Sequence, residues 1–254
     1  RDAAGLTPAL IAALPGREGA PLRVLDLGAG GGNNLHYLAP RLERPQRWTL
    51  IDSDRALLTE ARRAVPQDST VATRELDLAG GVEELPLDDC DLVTASALFD
   101  LVSLEWIEAF AGACTAAAVP VGLFALTFDG RLGWQPEDAA DADVASLFQQ
   151  HMGHDKGFGP ALGPKAPDAL AAAFERAGYD VETADSAWRL DADDGALQEA
   201  LLDGYAAAAS EMAPARAAEI EDWAARRRAF VAQARSDHRV GHRDLLVTRP
   251  TAGS

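Results

Sequence analysis

The residues that could carry chemistry first cluster between Val24 and Asn34, in the string Val-Leu-Asp-Leu-Gly-Ala-Gly-Gly-Gly-Asn-Asn. Its apolar start is typical of a buried strand, and the residues after its glycines show helical periodicity. Glycine suits a sharp turn where the backbone must come close to a ligand. A helix that begins after such a turn presents free N–H groups and the positive end of its dipole. The string therefore predicts a site for a polar or negatively charged part of a ligand.

Two classes of ligand use such a turn, and the glycine spacing separates them. A dinucleotide-binding turn has glycine at its first, third and sixth positions, and here the sixth position is Asn33. The spacing Asp-x-Gly-x-Gly-x-Gly is met instead by Asp26 and the alternate glycines from Gly28 to Gly32. With this string the chain resembles the class I S-adenosylmethionine-dependent methyltransferases, whose first motif reads this way.

The resemblance implies a role for residues further along the chain. Asp52, which ends the second predicted strand, is implied to accept both ribose hydroxyls, although an acid there also serves NAD. Asp77 and the N–H of Leu78 are implied to bind adenine. Asp26 is implied to lie beside the methionine portion, and the end of the fourth strand to face the sulfonium. The predicted cofactor-binding residues are Asp26, Gly28, Ala29, Gly30, Asn33, Asp52, Ser53, Asp77, Leu78, Ser96 and Ala97.

Candidate catalytic residues follow strands four and five, where open α/β sheets bind their ligands. Methyl transfer from a sulfonium is an in-line displacement, which needs alignment and exclusion of water more than a strong acid or base. A base matters only if the acceptor must lose a proton. The candidates are Asp100, Asp129 and His154, the last in a glycine-rich loop. His151 and His154 have no third ligand at a suitable spacing, so no metal is predicted.

The elements that must position these residues alternate between strand and helix, which predicts a doubly wound, mostly parallel α/β sheet of seven strands. Asn33 and Asn34 are predicted as helix caps. The predicted strands are 22–27, 48–51, 70–75, 91–95, 121–128, 179–184 and 244–248.

The chain is predicted to be one methyltransferase domain over residues 1–254, with two long helical insertions. Residues 129–165 follow the fifth strand and include a helix near 138–150, and residues 190–240 contain two helices joined at Pro214. The inner face of the first of these helices is predicted to hold Leu197, Leu201, Tyr205 and Ala208. Both insertions exceed ordinary loop length, so they are candidates for a lid or substrate element.

Charge and composition narrow the partners. The 254 residues have a formal net charge of −17, which disfavours a nucleic acid partner because phosphates would be repelled. No apolar run is long enough to span a bilayer and no signal peptide is visible, so no membrane partner is expected. Cys90 and Cys114 cannot make a disulfide framework, which favours the cytoplasm.

The sequence therefore predicts a cytoplasmic enzyme that uses S-adenosylmethionine to methylate a small-molecule acceptor, leaving S-adenosylhomocysteine. Two alternatives stay open at this stage. One is an NAD(P)-dependent oxidoreductase, disfavoured by Asn33 at the sixth motif position. The other is a cofactor-binding module without catalysis, whose substrate pocket would be filled.

Overall fold

The chain folds as an alternation of strands and helices, which a computed structural model describes over residues 5–16 and 19–250. The strands are β1 (Leu22–Leu27), β2 (Gln46–Asp52), β3 (Ser69–Glu75), β4 (Leu92–Ser96), β5 (Val121–Gln135), β6 (Asp180–Asp185), β7 (Trp188–Leu190) and β8 (Asp237–Thr248). The helices are α1 (Thr7–Ala13), α2 (Asn33–Leu38), α3 (Arg55–Ala61), α4 (Leu104–Ala116), α5 (Asp141–Met152), α6 (Ala166–Arg176), α7 (Gly195–Met212) and α8 (Ala217–Ala232). Short 3-10 turns at Leu78–Gly80 and Phe99–Leu101 follow β3 and β4.

The strands form one mixed sheet in the order β3-β2-β1-β4-β5-β8-β6. Strands β1 to β5 pair parallel with one another, and β8 lies antiparallel between β5 and β6. The short β7 also pairs with β8, so the sheet of the described residues has eight strands where the sequence predicts seven. The predicted doubly wound, mostly parallel sheet is confirmed.

Strands β5 and β8 are longer than predicted. The pairing of β4 with β5 ends at Ser96 and Ala125, whereas β5 continues beside β8 as far as Gln135. Residues 129–135 and 237–240, predicted as parts of the insertions, are therefore strand. Because β4 and β5 are parallel, this two-stranded extension, joined on its far side by β7, projects beyond the carboxyl edge of the sheet.

A bulge in β5 marks the point where the extension begins. Leu126 has a φ of 55°, and the register with β8 shifts between Phe124 and Thr127. The backbone N–H of Leu126 donates to the buried Asp244 carboxylate at 2.9 Å, and the Ser186 hydroxyl donates to the same oxygen at 2.6 Å. These bonds satisfy a backbone group that the bulge removes from the ladder.

Two clusters of buried apolar side chains line the two faces of the sheet. Leu25 and Leu27 of β1 belong to the cluster that includes α4 and α6, whereas Val24 belongs to the one that includes α1, α2 and α3. This alternation follows from the period of two in a strand. Both clusters hold the carboxyl ends of β1, β2 and β4 in fixed relation to one another.

A third cluster lies between the extension and helices α5, α7 and α8. Its large members are Trp134, Tyr205 and Trp223. The two predicted helices of residues 190–240 are α7 and α8, but the predicted inner face of α7 is wrong in part. Leu197 is exposed, whereas Tyr205 and Ala208 of the predicted face are buried, and Leu202 is buried beside them.

Among the residues that the structure describes, no helix combines the length and apolar character needed to cross a bilayer.

Candidate functional site

The glycine turn after β1 requires glycine at specific positions. Gly28, Gly30 and Gly32 have φ values of 63°, 50° and 86°, in the left-handed region that disfavours residues with a Cβ. A Cβ on Gly32 would also lie 3.0 Å from the Cβ of Ala61 in α3. The turn therefore brings bare backbone to the carboxyl edge, where a ligand can approach it closely.

Asp52 ties the end of β2 to this turn. Its Oδ2 accepts the backbone N–H of Gly30 at 2.8 Å, and its Oδ1 accepts that of Asp54 at 2.8 Å. The N–H of Ala29 in turn donates to the carbonyl of Ile51 at 2.9 Å. Each carboxylate oxygen has a further lone pair, so Asp52 can still accept two hydroxyl groups of a ligand.

Asp26 lies beneath the turn and is fully buried. Its Oδ1 accepts the side-chain amide of Asn34 at 2.8 Å, and its Oδ2 has no hydrogen-bond partner. Burial raises the pKa of this carboxyl to about 7, the Asn34 hydrogen bond opposes the rise, and the charge of Asp52 adds to it. A buried carboxyl with one oxygen that lacks a hydrogen-bond partner fits a ligand that brings a positive charge.

The sequence predicts Asn33 and Asn34 as caps of α2, and the structure shows that neither residue caps the helix. The cap position is Gly32, and both asparagines lie in the first turn of the helix. Asn33 is exposed, whereas the Asn34 side chain turns inward to Asp26, a contact that satisfies a buried acid rather than the helix end. Ser53, between Asp52 and the cap of α3, is also exposed.

The ends of β3 and β4 complete the predicted cofactor side. Asp77 is exposed, and its Oδ1 accepts the N–H of Ala79, so the turn presents the other oxygen at the edge. Leu78 is buried, and its carbonyl accepts the indole N–H of Trp106 at 2.8 Å. Beyond Ser96, Ala97 is exposed with a φ of 54°, and its N–H donates to Ala125.

The three candidate catalytic residues differ in their surroundings. Asp100 lies after β4, is 8% exposed and has an Oδ1 without a partner. Burial raises the pKa of its carboxyl to about 6. Asp129 on β5 is bound in an ion pair with Arg131, which accounts for both of its oxygens. His154 is exposed, and its ring lies 5.5 Å from that of His151.

The glycine-rich loop of residues 153–163 packs on the adenine side predicted from the sequence. Phe158 meets Trp106 edge to face with ring centroids 5.9 Å apart. A Cβ on Gly157 would lie 3.7 Å from that of Ala79. Within the described residues, no group of three His, Cys, Asp or Glu side chains could hold a metal ion. The loop thus covers part of the carboxyl edge with backbone and an aromatic ring.

The sequence also matches a known family over this half of the fold. Residues 24–122 match the family described as methyltransferase domain. This match identifies them as a methyltransferase domain. The match spans β1 to the start of β5 and so includes every predicted cofactor residue.

Solved structures extend the likeness of fold beyond the methyltransferase domain. The chain is similar to a candidate methyltransferase from Bacillus halodurans, with 17% identity, a TM-score of 0.52 and coverage of 96% of this chain and 97% of that one. It is also similar to the cyclopropane synthase MmaA2 from Mycobacterium tuberculosis, with 10% identity, a TM-score of 0.52 and coverage of 96% and 83%. No curated protein matches the chain by sequence.

One buried residue near the methyltransferase domain escapes sequence reasoning. His242 on β8 pairs with Phe128, beyond the last contact of β4 with β5, and its Nδ1 has no partner. Its ring lies 4.9 Å from that of Trp188, and burial lowers its pKa to about 4. A lone histidine in a strand carries no motif, so only the strand pairing reveals that it lies at this edge.

Proposed function

We propose that this chain transfers a methyl group from S-adenosylmethionine to a small-molecule acceptor by in-line displacement, in the cytoplasm. The observation that carries the proposal is the turn from Asp26 to Gly32 with Asp52 bonded across it. The bare backbone at Gly30 and the open oxygen of Asp26 suit a ligand that is polar, close to the backbone and positively charged at one end. S-adenosylmethionine, when bound, supplies an electrophilic methyl group on a sulfonium.

Residues of the glycine turn and of the strand ends each bind a different part of the cofactor. Asp52 accepts the ribose hydroxyls while the N–H of Gly30 keeps its carboxylate in place. Asp77 accepts the exocyclic amine of adenine, and the N–H of Leu78 binds the ring. Asp26 faces the cationic, amino-acid end. The remaining members, which bring backbone or small side chains close to the ligand, are Gly28, Ala29, Asn33, Ser53, Ser96 and Ala97.

Asp100 is the candidate base that the surroundings favour. An open oxygen and a pKa raised to about 6 let its carboxylate take a proton near neutral pH, whereas Asp129 is committed to Arg131. His154 on the loop is a second group that could reach the acceptor. A base is required only for an acceptor that must lose its proton.

Several features support a small acceptor. The loop of residues 153–163 packs on the carboxyl edge, and helices α5, α7 and α8 pack on the extension beyond it. Such cover would help to exclude water from a displacement reaction on a small acceptor. The net charge of −17 disfavours nucleic acid. Both cysteines are buried thiols, which suits a reducing compartment.

The test is incubation of the protein with methyl-labelled S-adenosylmethionine and a metabolite library, followed by mass spectrometry. The proposal expects a metabolite that gains one labelled methyl group, together with S-adenosylhomocysteine in equal amount. The matched variant Asp100→Asn should retain binding of S-adenosylhomocysteine and lose turnover if the acceptor is deprotonated. Binding of the cofactor without any methylated product would favour the non-catalytic module instead.

A further inference from the structure

Asn34 joins the buried acid Asp26 to the centre of the sheet. Its Nδ2 lies 2.8 Å from Asp26 Oδ1 and 3.1 Å from the hydroxyl of Thr94. The Thr94 hydroxyl donates in turn to the carbonyl of Leu123 at 2.7 Å. Asp26, Thr94 and Leu123 face one another in register on β1, β4 and β5, so the chain of hydrogen bonds crosses three strands.

The direction of every hydrogen bond in this chain is fixed by its members. A threonine hydroxyl has one hydrogen, which is committed to Leu123, so Thr94 can only accept from Asn34. The Asn34 amide must therefore turn its NH2 group toward Thr94 and Asp26, since its oxygen would face two acceptors. Oδ2 of Asp26 is buried and has no hydrogen-bond partner.

We propose that Asn34, held by Thr94, is a positioning residue that fixes one oxygen of Asp26 and leaves the other to the amino-acid end of the cofactor. This inference rests on the proposed function, because it takes S-adenosylmethionine as the ligand. That end of the ligand carries an ammonium group, which a buried carboxylate with one open oxygen can pair with. Asn34 itself contacts no ligand in this account.

The charges around Asp26 set how its affinity for a cation depends on pH. Asp52, on the neighbouring strand β2, is the charged side chain that acts on it, and it disfavours ionisation. The Asn34 amide has the opposite effect because it donates to the carboxylate. Thr94 on β4 is not titratable. Without Asn34, Asp26 would hold its proton to a higher pH and would pair with a cation less well at neutral pH.

The experiment measures binding of two probes by titration calorimetry from about pH 6 to about pH 8.5. One is S-adenosylhomocysteine, which has the ammonium group, and the other is 5′-methylthioadenosine, which has the adenosine part and no amino-acid part. The variants are Asn34→Ala and Thr94→Val. Thr94→Ser is the matched control because it keeps the hydroxyl.

In the wild type, affinity for S-adenosylhomocysteine should rise with pH as Asp26 loses its proton, and affinity for methylthioadenosine should change little. Asn34→Ala should lower the affinity for S-adenosylhomocysteine about tenfold at neutral pH, because a hydrogen bond to a charged group is lost. The same variant should shift the rise in affinity for S-adenosylhomocysteine to higher pH, and it should leave the affinity for methylthioadenosine unchanged. Thr94→Val should act in the same direction, and Thr94→Ser should match the wild type.

Equal weakening of both probes by Asn34→Ala would show a merely structural role, as would an unshifted pH profile. If Asn34→Ala does not fold, Thr94→Val gives the same comparison. Failure of the wild type to bind S-adenosylhomocysteine would overturn the proposed function together with this inference. If the wild type binds S-adenosylhomocysteine and the variants Asn34→Ala and Thr94→Val bind it with the same affinity, this inference alone would be overturned.

Discussion

The buried carboxyl of Asp26 makes the stability of the ligand-free protein depend on pH. Its pKa is raised to about 7 in the folded state from the usual 3.8, so the folded chain holds this proton over a range in which the unfolded chain has lost it. The stabilisation is complete below about pH 4 and is lost as pH rises through about 7. Asp26→Asn removes the charge, so it should raise the free energy of unfolding at pH 8 by on the order of 1–3 kcal/mol.

Urea unfolding of the two proteins at pH 5 and pH 8 checks this prediction. The difference between Asp26→Asn and the wild type should be larger at pH 8. The exposed Asp180 on β6 offers a control, since Asp180→Asn should alter stability little at either pH. A gain for Asp26→Asn of the same size at both pH values would mean that ionisation of Asp26 has no part in it.

At the scale of residues, the glycine turn after β1 could be predicted because its signal is local. The turn from Gly28 to Gly32 is required by positive φ values that glycine spacing already indicates. The inward contacts of Asn34 could not be predicted, because its partner Thr94 is 60 residues away and no helix rule turns an asparagine of the first turn inward. The same reason applies to His242, whose position depends on the pairing of β8 with β5.

At the scale of elements, the ion pair between Arg227 and Asp141 joins α8 to the start of α5. Arg227 is 0% exposed, and the indole N–H of Trp223 donates to the same carboxylate at 2.8 Å. Asp141→Ala would leave a buried guanidinium without its charge partner, which costs about 3–5 kcal/mol. Chemical denaturation should show this loss, and the exposed Asp143→Ala should lose about 1 kcal/mol or less. Equal losses would mean that Arg227 finds another partner.

The loop of residues 153–163 is expected to change its hydrogen exchange when ligand binds. Its contacts with Ala79 and Trp106 lie beside the predicted adenine site, so a ligand there should hold the loop closed. Exchange measured by mass spectrometry should slow in this loop, and in the first half of α7, when S-adenosylhomocysteine and an acceptor bind. The edge strand β6 should exchange equally in both states. Protection confined to residues 28–34 would mean that these segments are not a lid.

The extension of β5 and β8 shows why element lengths were harder to predict than element types. The stretch after Phe128 contains Gly130 and Gly133 and charged residues, which give no alternating apolar pattern. It is a strand because β8 pairs with it, more than a hundred residues later in the chain. The first five strands were predicted to within a few residues at their starts.

For the whole molecule, the acidic balance predicts no binding of duplex DNA or RNA at physiological salt. With a formal charge of −17, the chain repels a phosphate backbone at long range. A gel shift with micromolar protein should show free nucleic acid only. A shifted band that salt competes away would reveal a local basic surface and overturn the prediction.

Titration calorimetry with S-adenosylhomocysteine, and in a separate titration with NADH, tests whether the glycine turn and Asp52 bind S-adenosylmethionine rather than a dinucleotide. We expect saturable binding of S-adenosylhomocysteine and no binding of NADH. The variant Asp52→Ala removes two charge-assisted hydrogen bonds to the ribose, so it should lose about 2–4 kcal/mol of binding free energy for S-adenosylhomocysteine. Asp54→Ala should keep the affinity and lose only the cap of α3. Binding of NADH in place of S-adenosylhomocysteine, or full affinity in Asp52→Ala, would contradict the account.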